Sequence, residues 1–571
     1  MVRRFAKSDL LIPRSIAAFV GALLVVAVAA VRLSAQTMVS ADSSARAVQA
    51  IFANWINPTT PGCAVGVTRR GQIVYRGEFG MANLETATPI GPNTVFQAAS
   101  IAKQFTAFAV LMLVRDGKLS LDDDIRKYIP ELPDYRARIT VRHLLTHTSG
   151  LRDFFEMLIL ARGRFEEDRI THADMMDIVT RQKALNFAPG SEFLYSNTGY
   201  ALLEVIVSRV SGKSLRDFAA ERIFAPLGMT HTQFRDDYTM LVPGRAEGYG
   251  VRGAGFRSST PNYDVYGSTN LFTTVGDLLI WTANLDHPRV GDSSMVRQMS
   301  TRAILSNGDM SDYGFGLSVW NDRGTTVVEH EGGDPGFRSY LARYLEDSLA
   351  VAVLCNRPSE PVPLGHAIAD IYRDPIRKPP TGGVVTPAKL DTAALARRAG
   401  VYFQPQTLEV VEVTLREGQL YTRRRGGRQL VPIDVNHFRL YGRETELEFD
   451  PSPNSGYVAR SLTPGRHPVR YEWKAPLTAA LPRLAPYAGN YFSEDLNTTY
   501  RVSVSDSTLV FKTGTSEGLV ARPVFADTFV IGQLTVQFSR DRTGVSGFYI
   551  SHPRARRLAF VRLKSSQHPA P

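Results

Sequence analysis

The sequence predicts an α+β domain followed by two small antiparallel β-barrels, and three observations carry that reading. Strand-like runs flank a long helical middle between residues 40 and 375. The texture then changes to short alternating runs broken by Gly, Pro, Asn and Asp, which is β-type patterning. Within this tail the chain repeats itself at an offset of about 90 residues, the mark of a duplicated unit.

The first strands lie at 61–80, where apolar and polar residues alternate on either side of Arg69-Arg70-Gly71-Gln72, a hairpin pattern. From Ser100 to Val114 the chain is apolar on nearly every side, which predicts a buried helix ended by Asp116-Gly117. Gly199 to Val210 reads as a second helix, closed by Ser211-Gly212, and 338–355 returns to strands. A sheet assembled from both ends of the domain follows from that order. Arg377 to Gly383 reads as a linker. Beyond it, Gly400-Val401-Tyr402-Phe403 matches Gly489-Asn490-Tyr491-Phe492, Val413-Thr414-Leu415 matches Val502-Ser503-Val504, and Pro432 and Phe438 match Pro523 and Phe529. Two copies of one closed barrel are expected, 390–478 and 482–571, split near Pro482, with Tyr402 and Tyr491 in their cores.

Residues 1–35 read as an address. Arg3, Arg4, Lys7 and Arg14 precede an apolar run from Ser15 to Val31, then Leu33-Ser34-Ala35, the pattern of a secretory signal peptide cleaved near Ala35. The alternative is retention of this segment as a membrane anchor. The expected location is therefore periplasmic or secreted, with residues 36–378 as the α+β domain. The formal charge is +11, of which the first 35 residues supply +4. The remaining +7, spread over more than 500 residues, gives no case for a nucleic-acid partner. Cys63 and Cys355 each end or begin an apolar run, and the favoured reading is two small core residues rather than a bonded pair.

Three patterns can carry chemistry. Ser100 and Lys103 share one helix face, so a buried lysine of lowered pKa can take the serine's proton or tune a neighbour that does. Tyr195-Ser196-Asn197 offers a tyrosine that a neighbouring lysine can drive towards phenolate to serve as general base, and an asparagine to fix a substrate amide or the lysine. His330-Glu331-Gly332-Gly333 offers a strand whose glycines admit a substrate closely and whose N–H groups can hold an oxyanion. His143 and His147 are four apart, but Leu144 stands where a metalloprotease helix needs glutamate, so a structural pair is expected and no metal or cofactor is called for. Arg423-Arg424-Arg425 with Arg428 reads as a solvated strand end, or as a patch for an anionic polymer.

Taken together and in this order, Ser100-Ile101-Ala102-Lys103, Tyr195-Ser196-Asn197 and His330-Glu331-Gly332 resemble the serine β-lactamase and penicillin-binding-protein superfamily, in its branch of class C β-lactamases, DD-carboxypeptidases, esterases and D-aminopeptidases. Pro61 to Val65, Ile139 to Leu151 and Phe187 to Gly190 agree as well. The resemblance implies a β-lactamase-like catalytic domain over about 45–372. It implies Ser100 as the acylated nucleophile, Lys103 and Tyr195 as its base system, and Asn197, His330, Gly332 and Gly333 around the substrate. His330 stands where many members carry the lysine of Lys-Thr-Gly. A histidine is mostly neutral at pH 7 and is no point charge for a penicillin-type carboxylate. That departure points to a D-aminopeptidase-like or esterase-like enzyme on small amides, peptides or esters. A β-lactamase or DD-carboxypeptidase is the alternative, and a non-catalytic protein binding envelope polymer, with cell-wall material as partner, is the rival outside enzymology. D-aminopeptidases of this branch carry two C-terminal barrels, which agrees with the repeat.

Overall fold

The computed structural model describes residues 43–163, 168–373, 388–422, 427–441, 445–452, 456–464, 466–475, 484–514 and 516–564. The expected signal segment, the linker, the barrel boundary near Pro482 and the Arg423–Arg425 cluster lie outside these residues.

The catalytic part is built on a six-stranded antiparallel sheet. Its strands are β1 (Cys63–Arg69), β2 (Gln72–Phe79), β3 (Ser318–Asp322), β4 (Thr325–Asp334), β5 (Phe337–Tyr344) and β6 (Leu349–Cys355), in the order β3-β4-β5-β6-β1-β2. The sheet does join both ends of the domain. Arg70 and Gly71 both take positive φ, 52° and 73°, as a two-residue hairpin turn of matching twist requires. β1 and β6 are buried nearly throughout because the helix Val275–Asp286 covers one face and the helix Pro361–Tyr372, with Phe52, Tyr75 and Phe79, covers the other. Burying both faces explains why Cys63 to Val67 and Leu349 to Cys355 are unbroken apolar runs.

The helical part contains α1 (Ala102–Arg115), α2 (Phe154–Arg162) and α3 (Asn197–Ser211). Every residue of α1 from Ala102 to Leu113 is buried, as an all-round apolar helix demands. Ser100 itself lies in a single 3-10 turn, Ala99–Ile101, that leads into α1. α3 ends where Gly212 takes φ 72°.

One expectation is overturned. Cys63 and Cys355 are not separate core residues; they form a disulfide. They face each other across β6 and β1, with Cα atoms 4.0 Å apart, inside the roughly 7 Å that a bond needs. Their separation of 292 residues hides a pairing that only the sheet order creates.

Two closed eight-stranded barrels follow, from Gly400–Gln404 to Val469–Lys474 and from Gly489–Ser493 to Ala555–Arg562. The duplicated residues occupy duplicated places. Gly400 pairs with Val413 as Gly489 pairs with Val502, and Pro432 pairs with Phe438 as Pro523 pairs with Phe529. Tyr402 and Tyr491 are buried, and each donates its hydroxyl to the carbonyl four residues upstream, at 2.8 Å in both. The first barrel has its own core, whereas the core of the second runs on into the helical part of the catalytic domain. Tyr500 Oη donates to Leu160 O at 2.7 Å across that junction, and Arg152 meets Asp495 at 3.0 Å.

Candidate active site

The Ser100 segment is held in a strained corner. Ala98 is fixed from two sides: its N–H donates to Leu271 O at 2.8 Å, and its carbonyl accepts from Ser339 Oγ at 2.7 Å. Ala99 then takes φ 47°, a left-handed conformation that costs a side-chain-bearing residue roughly 1–2 kcal/mol. That reversal starts α1 and presents Ser100 to a cavity of about 710 Å³. Tyr195, Asn197, His330, Gly332 and Gly333 line the same cavity. Three sequence-distant motifs thus converge on one space.

Lys103 lies one helical turn beyond Ser100 and is fully buried. Its Nζ sits 3.0 Å from Ser100 Oγ, 2.9 Å from Asn197 Oδ1 and 2.6 Å from the carbonyl of Ser268. Burial is the main force on this amine and lowers its pKa to about 7, against the pull of Asp153 and Asp334. An amine balanced there is neutral often enough at physiological pH to accept a proton. Tyr195 is half-buried on the cavity wall, and desolvation there pushes its phenol well up rather than towards the phenolate expected from the sequence, while the hydrogen bond with Ser100 and the charge of Arg554 pull it partly back. Its ring lies 4.8 Å from Lys103 Nζ. The resting pair is therefore an amine near its titration point beside a phenol that keeps its proton.

Asn197 is placed by a residue that sequence reasoning passed over. Asp153 caps α2 by accepting from Phe155 N–H at 3.0 Å. Its other oxygen accepts from Asn197 N at 2.6 Å and Asn197 Nδ2 at 3.0 Å. The asparagine thereby bridges Asp153 and Lys103 as well as lining the cavity. The signal for Asp153 was an acidic residue directly before the apolar run Phe154-Phe155, a helix N-cap pattern.

His330 is buried, and burial followed by the Lys103 charge drives its pKa down to about 3. Nδ1 faces the carbonyl of Glu331 at 2.6 Å, and a carbonyl can only accept, so Nδ1 carries the proton. Nε2 is then the acceptor for the hydroxyl of Tyr313 at 2.8 Å. Tyr313, which also lines the cavity, gave no signal in the sequence. His143 and His147 have separate duties in the frame. His143 Nδ1 accepts from Thr140 N–H at 3.2 Å in a capping box. His147 Nδ1 accepts from Ser196 N–H at 3.1 Å, and its ring lies 4.3 Å from that of Tyr195.

The two glycines differ. A methyl group on Gly332 would stand 2.2 Å from Ser339 Oγ and 2.5 Å from Ala98 O, the atoms that hold the Ser100 segment. A methyl on Gly333 would meet nothing closer than 3.7 Å. Gly332→Ala is therefore expected to lower stability by about 1–3 kcal/mol and to reduce turnover by shifting Ser100. Gly333→Ala is expected to leave Tm unchanged, with both variants compared by thermal melts.

Comparison with known proteins places the chain in a family. A family model described as Beta-lactamase matches residues 47–372. Penicillin-binding protein 4* of Bacillus subtilis (strain 168) is 29% identical over 407 residues, covering 66% of this chain and 88% of that protein. D-aminopeptidase of Brucella anthropi is 30% identical over 297 residues, covering 52% of this chain and 56% of its own length. Among solved structures, the octameric penicillin-binding protein homologue from Pyrococcus abyssi superposes with a TM-score of 0.51 at 22% identity, over 80% of this chain and 95% of that one, a likeness of fold. With more than half of its length matched, the chain belongs to the β-lactamase family and is a serine hydrolase of the β-lactamase and penicillin-binding-protein superfamily.

Proposed function

We propose that this hydrolase is exported and works through an acyl-enzyme on Ser100, with small amides, peptides or esters as substrates and D-residues among them. The observation that carries the reading is the Ser100 hydroxyl on a cavity wall, 3.0 Å from a buried amine whose pKa has fallen to about 7 and hydrogen-bonded to the Tyr195 phenol that lines the same cavity.

In this mechanism neutral Lys103 takes the Ser100 proton as Oγ bonds to the substrate carbonyl carbon. The N–H groups of Ser100 and Gly333 receive the oxyanion. As the scissile bond breaks, Tyr195 gives its proton to the departing nitrogen or oxygen and recovers one from Lys103. Water then retraces the path: Tyr195 takes its proton, Lys103 relays one back, and Ser100 is released. Asn197 and Asp153 hold Lys103 in place, and His330 fixes the strand that carries Gly333. Support for D-residue substrates comes from the D-aminopeptidase relative, over about half its length. Penicillin-binding protein 4* supports a second reading, a DD-carboxypeptidase acting on cell-wall material. Neutral His330 argues against efficient β-lactam turnover, which nitrocefin measures directly.

The test is mass spectrometry of the intact protein after a fluorophosphonate or penicillin probe, beside a turnover screen of D- and L-amino-acid amides, short esters and cephalosporins. An adduct is expected on Ser100 and is expected to vanish in Ser100→Ala. Wild-type protein that no acylating probe labels sinks the proposal.

A further inference from the structure

The last two strands of the second barrel, β7 (Gly544–His552) and β8 (Ala555–Arg562), are joined by a turn that reaches the catalytic cavity. The turn is fixed there by its backbone. The carbonyl of Arg554 accepts from Asp153 N–H and from Asn186 Nδ2, both at 3.1 Å. Arg556 N–H donates back to Asn186 Oδ1 at 2.8 Å. Asp153 is the residue that holds Asn197, so the turn is tied to the same frame as Lys103.

The Arg554 side chain lines the cavity with Ser100, and its guanidinium carbon lies 4.9 Å from the centre of the Tyr195 ring. The side chain is 31% exposed. Its nearest carboxylate oxygen, on Glu156, is 3.9 Å away, close enough to orient the charge and too far for a hydrogen bond. Among the described residues, no protein acceptor takes a hydrogen bond from this guanidinium. Its neighbours are committed: Arg338 Nη1 donates to the carbonyls of Asp334 and Phe337, and Arg556 donates to Glu192. A planar fork of five donors, facing a cavity and unspent, matches a carboxylate.

The position also says which carboxylate. In the mechanism above, Tyr195 protonates the departing nitrogen, so the departing residue lies against Tyr195. In an amino acid the carboxylate carbon is two bonds from that nitrogen. We propose that Arg554 is a carboxylate-binding residue of the active site, and that the second barrel thereby selects short peptides whose departing residue ends in a free carboxylate over the corresponding amides. The identity of the departing side rests on the proposed function. The binding of a carboxylate does not.

The experiment uses the full chain carrying Ser100→Ala, so that nothing turns over, and titrates D-alanyl-D-alanine and D-alanyl-D-alaninamide by calorimetry. The carboxylate peptide is expected to bind at least tenfold more tightly than its amide. Adding Arg554→Met is expected to abolish that preference, and Arg554→Lys to keep part of it. A purely structural role for the turn would weaken both peptides equally. Equal weakening, no preference in the parent protein, or no measurable binding of either peptide overturns the proposal. Failure of probe labelling at Ser100 in the wild-type chain, with the carboxylate preference intact, overturns the mechanism instead.

Discussion

Lys103→Met is expected to reduce kcat/KM by about 10²–10⁴, the usual weight of a positioned acid–base group, on whichever substrate the wild type turns over. Methionine fills nearly the same buried volume, so circular dichroism and a thermal melt will report a folded protein. What disappears is the amine placed to receive the Ser100 proton, 3.0 Å from the hydroxyl. The same assignment fixes the pH profile of the wild type. Burial lowers the lysine from its ordinary 10.5 to about 7, so the neutral, proton-accepting form is lost as pH falls through that value. Activity should therefore drop about tenfold per pH unit on the acid side of 7. No further inflection is expected near 6.5 from His330, which stays neutral because its own value has fallen to about 3. A variant within tenfold of wild type, or a flat profile between pH 5 and 7, would remove Lys103 from the role.

Asp495→Ala is expected to destabilise the whole protein by about 3–5 kcal/mol, because it strands a buried charge. Arg152 has only 3% of its side chain exposed and sits at the junction of α2 with the second barrel. Its Nη1 donates to Asp495 at 3.0 Å and to Gln182 Oε1 at 2.9 Å, and burial already holds its pKa below the ordinary arginine value. Arg152 directly precedes Asp153, the residue that anchors Asn197. Loosening the barrel should thus lower activity together with stability, read as a single earlier melting transition and a reduced kcat. Two separated transitions, with the catalytic one unmoved, would mean that the barrel is only a passenger.

Much of this site could be read from the sequence because its chemistry sits in short patterns. Ser100 and Lys103 are one helical turn apart, and Tyr195 with Asn197 and His330 with its glycines are local groups as well. The barrels were legible through the duplication, since Gly400, Tyr402, Pro432 and Phe438 recur at positions with the same structural duty. Contacts made between elements were not. Nothing near Cys63 announces that its strand lies beside one almost 300 residues away. Tyr313 belongs to an irregular segment, and its bond to His330 exists only after the sheet has formed. Arg554 was one arginine among many in a β-rich tail until the turn between β7 and β8 was seen to reach the cavity. Ser100 was expected to open a helix, yet it occupies the tight turn before it, because the left-handed Ala99 must first redirect the chain.

The sheet order β3-β4-β5-β6-β1-β2 also bears on synthesis. The β1–β2 hairpin leaves the ribosome first, but its neighbour β6 arrives only after the intervening helical region and three further strands have been made. Until then one margin of the hairpin offers unpaired backbone groups and apolar side chains to any passing chain. A nascent polypeptide halted before Leu349 would therefore be a sticky, unfinished object, and holdase chaperones should capture it far more readily than one halted after Cys355.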